Sequence, residues 1–244
     1  MNDLGNALEQ VIELARKAYE EKVVEVDGHK YEVESDGLRL LRHPEFPKNK
    51  VVLSTLTGMI DFIEREGNVE EMMLIVKSPT EVYLVGKLND HGDRPTYAVA
   101  QADVPEFRYE RWYGQSELII ALQAAFVENS ETDRDILLQV IGNLKESHVN
   151  SASDDGVSQS VQINTGVASV ATARVPNPVT LQPYRTFLEV KQPESKFVFR
   201  MREGMEAALF ESDGGMWKIE AKQAIKEYLE TKLESLDIKM SVIA

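Results

Sequence analysis

The spacing of apolar residues along the chain predicts five helices. In the first, Leu4, Leu8, Val11 and Ile12 recur at intervals of three or four residues, which places them on one face of an amphipathic helix. The same spacing returns in four later segments, and the third and fourth are close enough in sequence to form a helix pair. The predicted helices cover about 4–19, 55–66, 115–126, 132–144 and 216–236.

Alternating apolar and polar positions predict strands between these helices. Two alternating runs flank Asp27 and Gly28, which tolerate positive φ and suit a two-residue hairpin turn. The later predicted strands cover about 72–76, 82–88, 97–102, 157–163, 167–175, 179–190, 197–201 and 207–210. The fold class is therefore predicted as α+β, with helices and β-hairpins in the N-terminal part, a central helix pair, and a C-terminal antiparallel sheet closed by a terminal helix.

Turn-forming residues between 150 and 156 mark the best internal boundary. We expect a helix and hairpin region with the central helix pair over 1–150. The antiparallel sheet and the C-terminal helix are expected over 151–244. One continuous core is favoured over two independent domains.

Composition excludes several classes of function. The chain has 244 residues, no cysteine, and a formal net charge of −14. Without cysteine there is no disulfide, thiolate nucleophile or cysteine-based metal site. The negative charge repels phosphate, so nucleic acid is an unlikely partner. No apolar run reaches the roughly 20 residues that span a bilayer, and the N-terminus does not look like a secretory signal, so we expect a cytoplasmic protein without a membrane partner.

The usual catalytic motifs are missing from the sequence. The four histidines lie in separate segments, and no glycine-rich phosphate loop, dinucleotide fingerprint or nucleophile elbow is present. We therefore predict no catalytic site and no cofactor, while leaving the question of an enzyme open. One alternative is a magnesium-dependent nuclease that uses Glu189 and Lys191, although no acidic residue lies between 156 and 188 to complete such a site.

Two further segments each have two interpretations, one as a ligand-binding site and one as a common structural element. Asn89, Asp90 and Asp93 offer oxygen ligands for a hard cation, but the same residues form common turns, which is the favoured interpretation. The other segment interleaves arginine with aromatic residues, as single-strand nucleic-acid platforms and protein interfaces both do. Its candidate contacts are Arg108, Arg111, Trp112 and Tyr113.

The least ordinary feature is the neutral segment from 156 to 188. It contains no acidic residue, and its only charges are Arg174 and Arg185. Strands that face solvent usually carry charges, so these strands are expected to be covered. The cover is either a helical layer of the same chain or a second subunit, because interface cores are depleted in charge. The candidate interface residues are Val161, Ile163, Val167, Val170, Ala171 and Thr172.

The order of elements resembles a phage and prophage family typified by the YfdQ protein. The segments that carry the resemblance are the helix 55–66, the strand 82–88, the helix pair from Gln115, the neutral stretch with Thr165-Gly166-Val167, and the proline-punctuated run 176–187. It covers about 55–235. The family has no established active site, so the resemblance implies no catalytic residue. It implies a phage gene product that acts in the bacterial cytoplasm.

These observations favour a non-enzymatic phage or prophage protein that forms a homo-oligomer and acts by binding a protein, such as a host protein of a defence system. A nucleic-acid-associated factor in phage DNA metabolism and a magnesium-dependent nuclease are the alternatives.

Overall fold

The computed structural model describes residues 3–20, 23–34, 37–41, 47, 49–66, 71–89, 92–143, 153–154, 158–164, 170–202 and 204–244. Over this part of the chain, five helices and four β-sheets give an α+β fold, which confirms the predicted class. The chain divides into two compact units, Met1–Lys48 and Asn49–Ala244. The predicted boundary at 150 lies outside the described residues.

Unit 1, Met1–Lys48, consists of one helix and a three-stranded antiparallel meander. Its elements are α1 (Asp3–Glu20), β1 (Val23–Val26), β2 (His29–Glu34) and β3 (Gly37–Leu40). The turn between β1 and β2 places Asp27 at φ 51° and Gly28 at φ 81°, as a primed hairpin turn requires. The hairpin predicted from these two residues is therefore confirmed, and β3 adds a strand that the sequence pattern did not indicate.

Unit 2, Asn49–Ala244, contains the remaining elements. Its helices are α2 (Leu56–Glu66), α3 (Gln115–Ala125), α4 (Arg134–Gly142) and α5 (Trp217–Ser235). Its strands are β4 (Val51–Leu53), β5 (Met73–Ser78), β6 (Glu81–Val85), β7 (Thr96–Gln101), β8 (Tyr113–Gly114), β9 (Ser153–Asp154), β10 (Ser158–Asn164), β11 (Val170–Pro176), β12 (Val179–Leu181), β13 (Ser195–Arg202), β14 (Glu206–Glu211) and β15 (Ser241–Ile243).

The largest sheet has the strand order β15-β5-β6-β7-β4. Its three central strands are antiparallel, whereas β15 and β4 join at the two edges in parallel. Helices α2 and α5 cover one face of this sheet and form a first core with it. Leu74, Leu84 and Ala98 from the sheet are buried there with Ile63 and Leu229 from the helices. The terminal helix thus follows the C-terminal antiparallel sheet in sequence and packs on the five-stranded one.

A second core lies between the sheet β12-β13-β14-β8 and the helix pair α3–α4. Phe197 and Phe199 of β13 are buried against Leu118 and Leu137 of the two helices. The predicted central helix pair is confirmed, because α3 and α4 contact each other and share one core. Both helices present apolar residues on their sheet-facing sides, which is what drives this packing.

The strand predicted over 179–190 is wrong beyond Leu181. Residues 182–194 form an irregular loop instead, apart from an isolated bridge between Phe126 and Pro183. The Gln192 side chain closes this loop: its amide oxygen accepts hydrogen bonds from the backbone N–H groups of Arg185 and Thr186, and its amide nitrogen donates to the Phe187 carbonyl. A buried side chain therefore satisfies backbone groups that a neighbouring strand would otherwise have to satisfy.

Candidate functional site

Unit 1 exposes its apolar side chains. Among the side chains of Met1–Lys48 that the structure describes, which exclude those of 3–6, 16, 18–20 and 40, none is buried. Leu8, Val11, Ile12 and Leu14 of α1 are between 47% and 67% exposed. Exposed valine and leucine side chains also lie on the meander, at Val23, Val26, Val33 and Leu38. An 18-residue helix and a three-stranded sheet are each only marginally stable without a buried face, so this surface requires a cover.

The predicted interface residues lie in a separate three-stranded sheet with the order β11-β10-β9. Val161 and Ile163 belong to β10, and Val170, Ala171 and Thr172 belong to β11, whereas Val167 lies outside the described residues. Ile163 is paired with Ala171, and Gln162 with Thr172. Strand β11 is the edge of this sheet, and no described strand lies on its other side, so its backbone can accept a further strand.

The aromatic and arginine segment 108–113 lies beside a cavity of about 370 Å³. Its arginines already have carboxylate partners, since Arg108 pairs with Glu106 and Arg111 with Glu117, both at 2.7 Å. Arg111 also lies 4.6 Å from the centre of the Tyr113 ring. A phosphate that approached this cavity would compete with two glutamates, which weakens its electrostatic attraction.

The aromatic rings of the same segment are engaged in packing. Tyr113 is buried in the second core and stacks on Phe107 with ring centres 5.3 Å apart. The Trp112 ring is half-buried, with the Arg202 guanidinium 4.5 Å from its centre. The buried Tyr113 ring is not available for stacking on a base, and the Arg202 guanidinium already covers one face of the Trp112 ring.

The residues of the nuclease alternative have structural partners. Glu189 Oε1 accepts hydrogen bonds from the backbone N–H groups of Leu56 at 2.8 Å and Thr57 at 3.2 Å, so it caps the N-terminus of α2. Lys191 pairs with Glu194 at 3.3 Å. Among the described residues, no cluster of three or more His, Asp or Glu side chains could hold a metal ion.

The loop that contains Asn89 and Asp93, the alternative cation site, forms a turn. The Asn89 side-chain oxygen accepts a hydrogen bond from the Asp93 backbone N–H at 2.8 Å, and the Asn89 N–H donates to the Asp93 carbonyl at 2.9 Å. Asp90 lies outside the described residues. These contacts match the ordinary role of asparagine and aspartate in turns.

A buried cluster around Arg185 was not found from the sequence. Arg185 donates hydrogen bonds to Ser195 and, at 3.1 Å, to Glu211, and its guanidinium lies 4.0 Å from the centre of the Trp217 ring. Ser195 in turn donates to Asp213 at 2.6 Å. These residues join the loop 182–194 to β13, to the end of β14 and to the first turn of α5. Because they come from four distant segments, only the lone charge of Arg185 in a neutral stretch could have indicated the cluster.

The cluster shifts the pKa of its members. Burial raises the pKa of the Tyr109 phenol to about 12, although the nearby Arg185 opposes this shift. Burial also lowers the pKa of Arg185. For Asp213, burial disfavours the carboxylate, but hydrogen bonds from Ser195 and from the Gly215 backbone outweigh it and lower the pKa. Arg185 is only 7% exposed and its guanidinium is surrounded by protein groups, so it holds these segments together and does not form a ligand site.

Comparison with family models, curated proteins and solved structures finds no match to this chain. The function is therefore argued from the geometry of its own surfaces. In the part of the chain that the structure describes, no helix is both long and apolar enough to cross a membrane.

Proposed function

We propose that the chain is a non-enzymatic protein that self-assembles into a homo-oligomer and acts by binding other proteins. The observation that carries this proposal is the exposed apolar surface of unit 1, in which no described side chain is buried. Large contiguous apolar surfaces are rare on monomeric proteins and are typical of protein interfaces. Strand β11, which carries no acidic residue and has no described strand on its outer side, supports the same proposal.

A second copy of the chain is the cover that fits α1 best. The stripe of Leu8, Val11 and Ile12 is offered by every copy, so two helices related by a two-fold axis would bury each other's stripes. Full burial of one such side chain contributes about 1.5–3 kcal/mol, so six of them would contribute roughly 9–18 kcal/mol to the association of two copies.

The resemblance to the YfdQ-like family adds the biological setting of the proposal. It supports a phage or prophage protein of the bacterial cytoplasm, and it adds weight equally to self-assembly, interference with host defence and a role near phage DNA metabolism; among these, we propose binding to a host protein involved in defence. Expression of the chain in a bacterium with an active defence system should then raise the plating efficiency of a phage that this system restricts. Unchanged plating across a panel of such systems would contradict this part of the proposal.

Light scattering after size exclusion, at micromolar concentration, tests self-assembly. The wild-type chain should have a mass above that of one chain. The double variant Leu8→Glu/Ile12→Glu places charges in the stripe and should run as a folded monomer. The matched control is Ile219→Glu on α5, where an isoleucine that is 67% exposed receives the same charge. A monomeric wild type, or a double variant with unchanged mass, would contradict assembly through α1.

A further inference from the structure

The five-stranded sheet has a second face, opposite to the one that α2 and α5 cover. Strand register places one residue from each of its five strands in a single row across this face: Ile243 is paired with Ile75, Ile75 with Tyr83, Tyr83 with Val99, and Val99 with Val52. We call this row and the side chains around it the open face. Its two ends are the most accessible, with Val52 62% and Ile243 50% exposed.

Along the strands, the residues of the row alternate with residues that face the core under α2 and α5. Leu74 and Val76 flank Ile75 in β5 and are buried under the helices, so Ile75 lies on the other side of the sheet. Ile75 and Tyr83 are half-buried, and Val99 is buried. The open face is therefore an apolar stripe from one edge of the sheet to the other that is accessible at its two ends, partly accessible at Ile75 and Tyr83, and covered at Val99.

Positive charge surrounds this stripe. On one side, Lys50 and Lys77 place their Nζ atoms 5.4 Å and 5.1 Å from the centre of the Tyr83 ring. On the other side, Lys87 and Arg94 line a cavity of about 550 Å³ together with Met73. Lysine and arginine pack their apolar stems against such side chains while their charged groups stay in contact with solvent. These four cations are therefore accessible to a partner at the edge of the stripe.

Two carboxylates of the described residues pair with two of these four cations. Glu81 lies 3.4 Å from Lys77, and Glu71 lies 3.3 Å from Lys87. The named groups leave the open face with an excess of two positive charges, in a chain whose net charge is −14. A positively charged face on a negatively charged protein favours a partner that is itself negatively charged.

We propose that the open face binds an acidic segment of another protein that carries aliphatic side chains. The aliphatic residues would contact the row, and the carboxylates would pair with Lys50 and Arg94 at its rim. A second copy fits poorly, because two such faces would bring cations together. A nucleic acid fits poorly as well, since Tyr83 is the single aromatic residue of the row and successive bases need several stacking partners. This inference deepens the protein-binding part of the proposed function and rests on it.

Selection from a random dodecapeptide display library on the full-length chain provides the probe. Enriched peptides should be acidic and rich in aliphatic residues, and a fluorescein-labelled synthetic copy should bind the wild type in fluorescence anisotropy. Val52→Glu should weaken this binding about tenfold, because it adds a repelling charge at an exposed end of the row. Ile219→Glu, with a similarly exposed side chain on α5, is the matched control and should bind as the wild type does.

A charge reversal makes the test specific for the chemistry of the partner. Lys50→Glu/Lys77→Glu should lose the acidic peptide and gain affinity for its copy with every carboxylate residue replaced by lysine. Circular dichroism confirms that each variant is folded. Enrichment of basic or neutral peptides would overturn the proposal. So would equal binding by Val52→Glu, or displacement of the peptide by an oligothymidine.

Light scattering on the same samples keeps the two proposals apart. A chain that binds acidic peptides as a monomer contradicts self-assembly and supports the open face. An oligomer that selects no acidic peptide contradicts the open face alone.

Discussion

At the scale of single residues, Arg185 is the side chain on which unit 2 depends most. Arg185→Met removes the cation that contacts Ser195, Glu211 and Trp217 and leaves their polar groups without it. We expect the free energy of unfolding to fall by about 2 kcal/mol or more, since breaking a buried pair is strongly destabilising. The matched control, Arg108→Met, should be close to neutral, because its ion pair with Glu106 is mostly exposed. Urea denaturation monitored by circular dichroism measures both, and equal values would refute this role for Arg185.

Ionisation of the Tyr109 phenol in the same cluster makes the stability of the fold depend on pH in the alkaline range. Its pKa of about 12 in the folded chain exceeds the usual value of about 10, so the unfolded state loses this proton first. The neutral Tyr109 phenol therefore contributes fully to the free energy of unfolding below pH 10, and this contribution is lost as the pH rises towards 12. An absorbance titration of tyrosinate should contain a step near pH 12, and Tyr109→Phe should remove that step. A wild-type titration without such a step while the chain is still folded would refute it.

At the scale of elements, α2 takes its N-terminal cap from a residue more than 130 positions away in sequence. Glu189 accepts the backbone hydrogen bonds of Leu56 and Thr57. Glu189→Ala should lower the free energy of unfolding by about 1 kcal/mol, as loss of a helix cap does. Glu194→Ala, which removes only the surface ion pair with Lys191, should be close to neutral in the same urea titration. If the two variants were equally stable, Glu189 would not act as a cap.

At the scale of the whole molecule, the two units differ in how they are stabilised. Unit 2 has two buried cores, whereas none of the side chains described in unit 1 is buried. In hydrogen exchange, wild-type α1 should be protected by assembly, and Leu8→Glu/Ile12→Glu should lose this protection while β5, β6 and β7 keep theirs. Equal protection of α1 in both proteins would mean that its cover comes from within the chain.

Local chemistry was enough to predict much of the fold. The hairpin at Asp27 and Gly28 was predictable because only a few residue types adopt positive φ, and helices α3 and α4 because their apolar residues recur at helical spacing. Short edge strands such as β4 and β15 carry too few residues for a periodic signal. They form because the neighbouring strands offer free backbone groups.

The sequence by itself determined the helices, the hairpin at Asp27 and Gly28, the α+β class and the absence of cysteine chemistry, because each follows from residue type or from spacing within a few turns. Only the tertiary structure decided which distant residues contact each other. Examples are Glu189 at the start of α2, the cluster around Arg185 and the row from Val52 to Ile243. The packing of whole elements into layers fixes such neighbours, because they depend on which segments meet in space and not on the spacing of residues within one element.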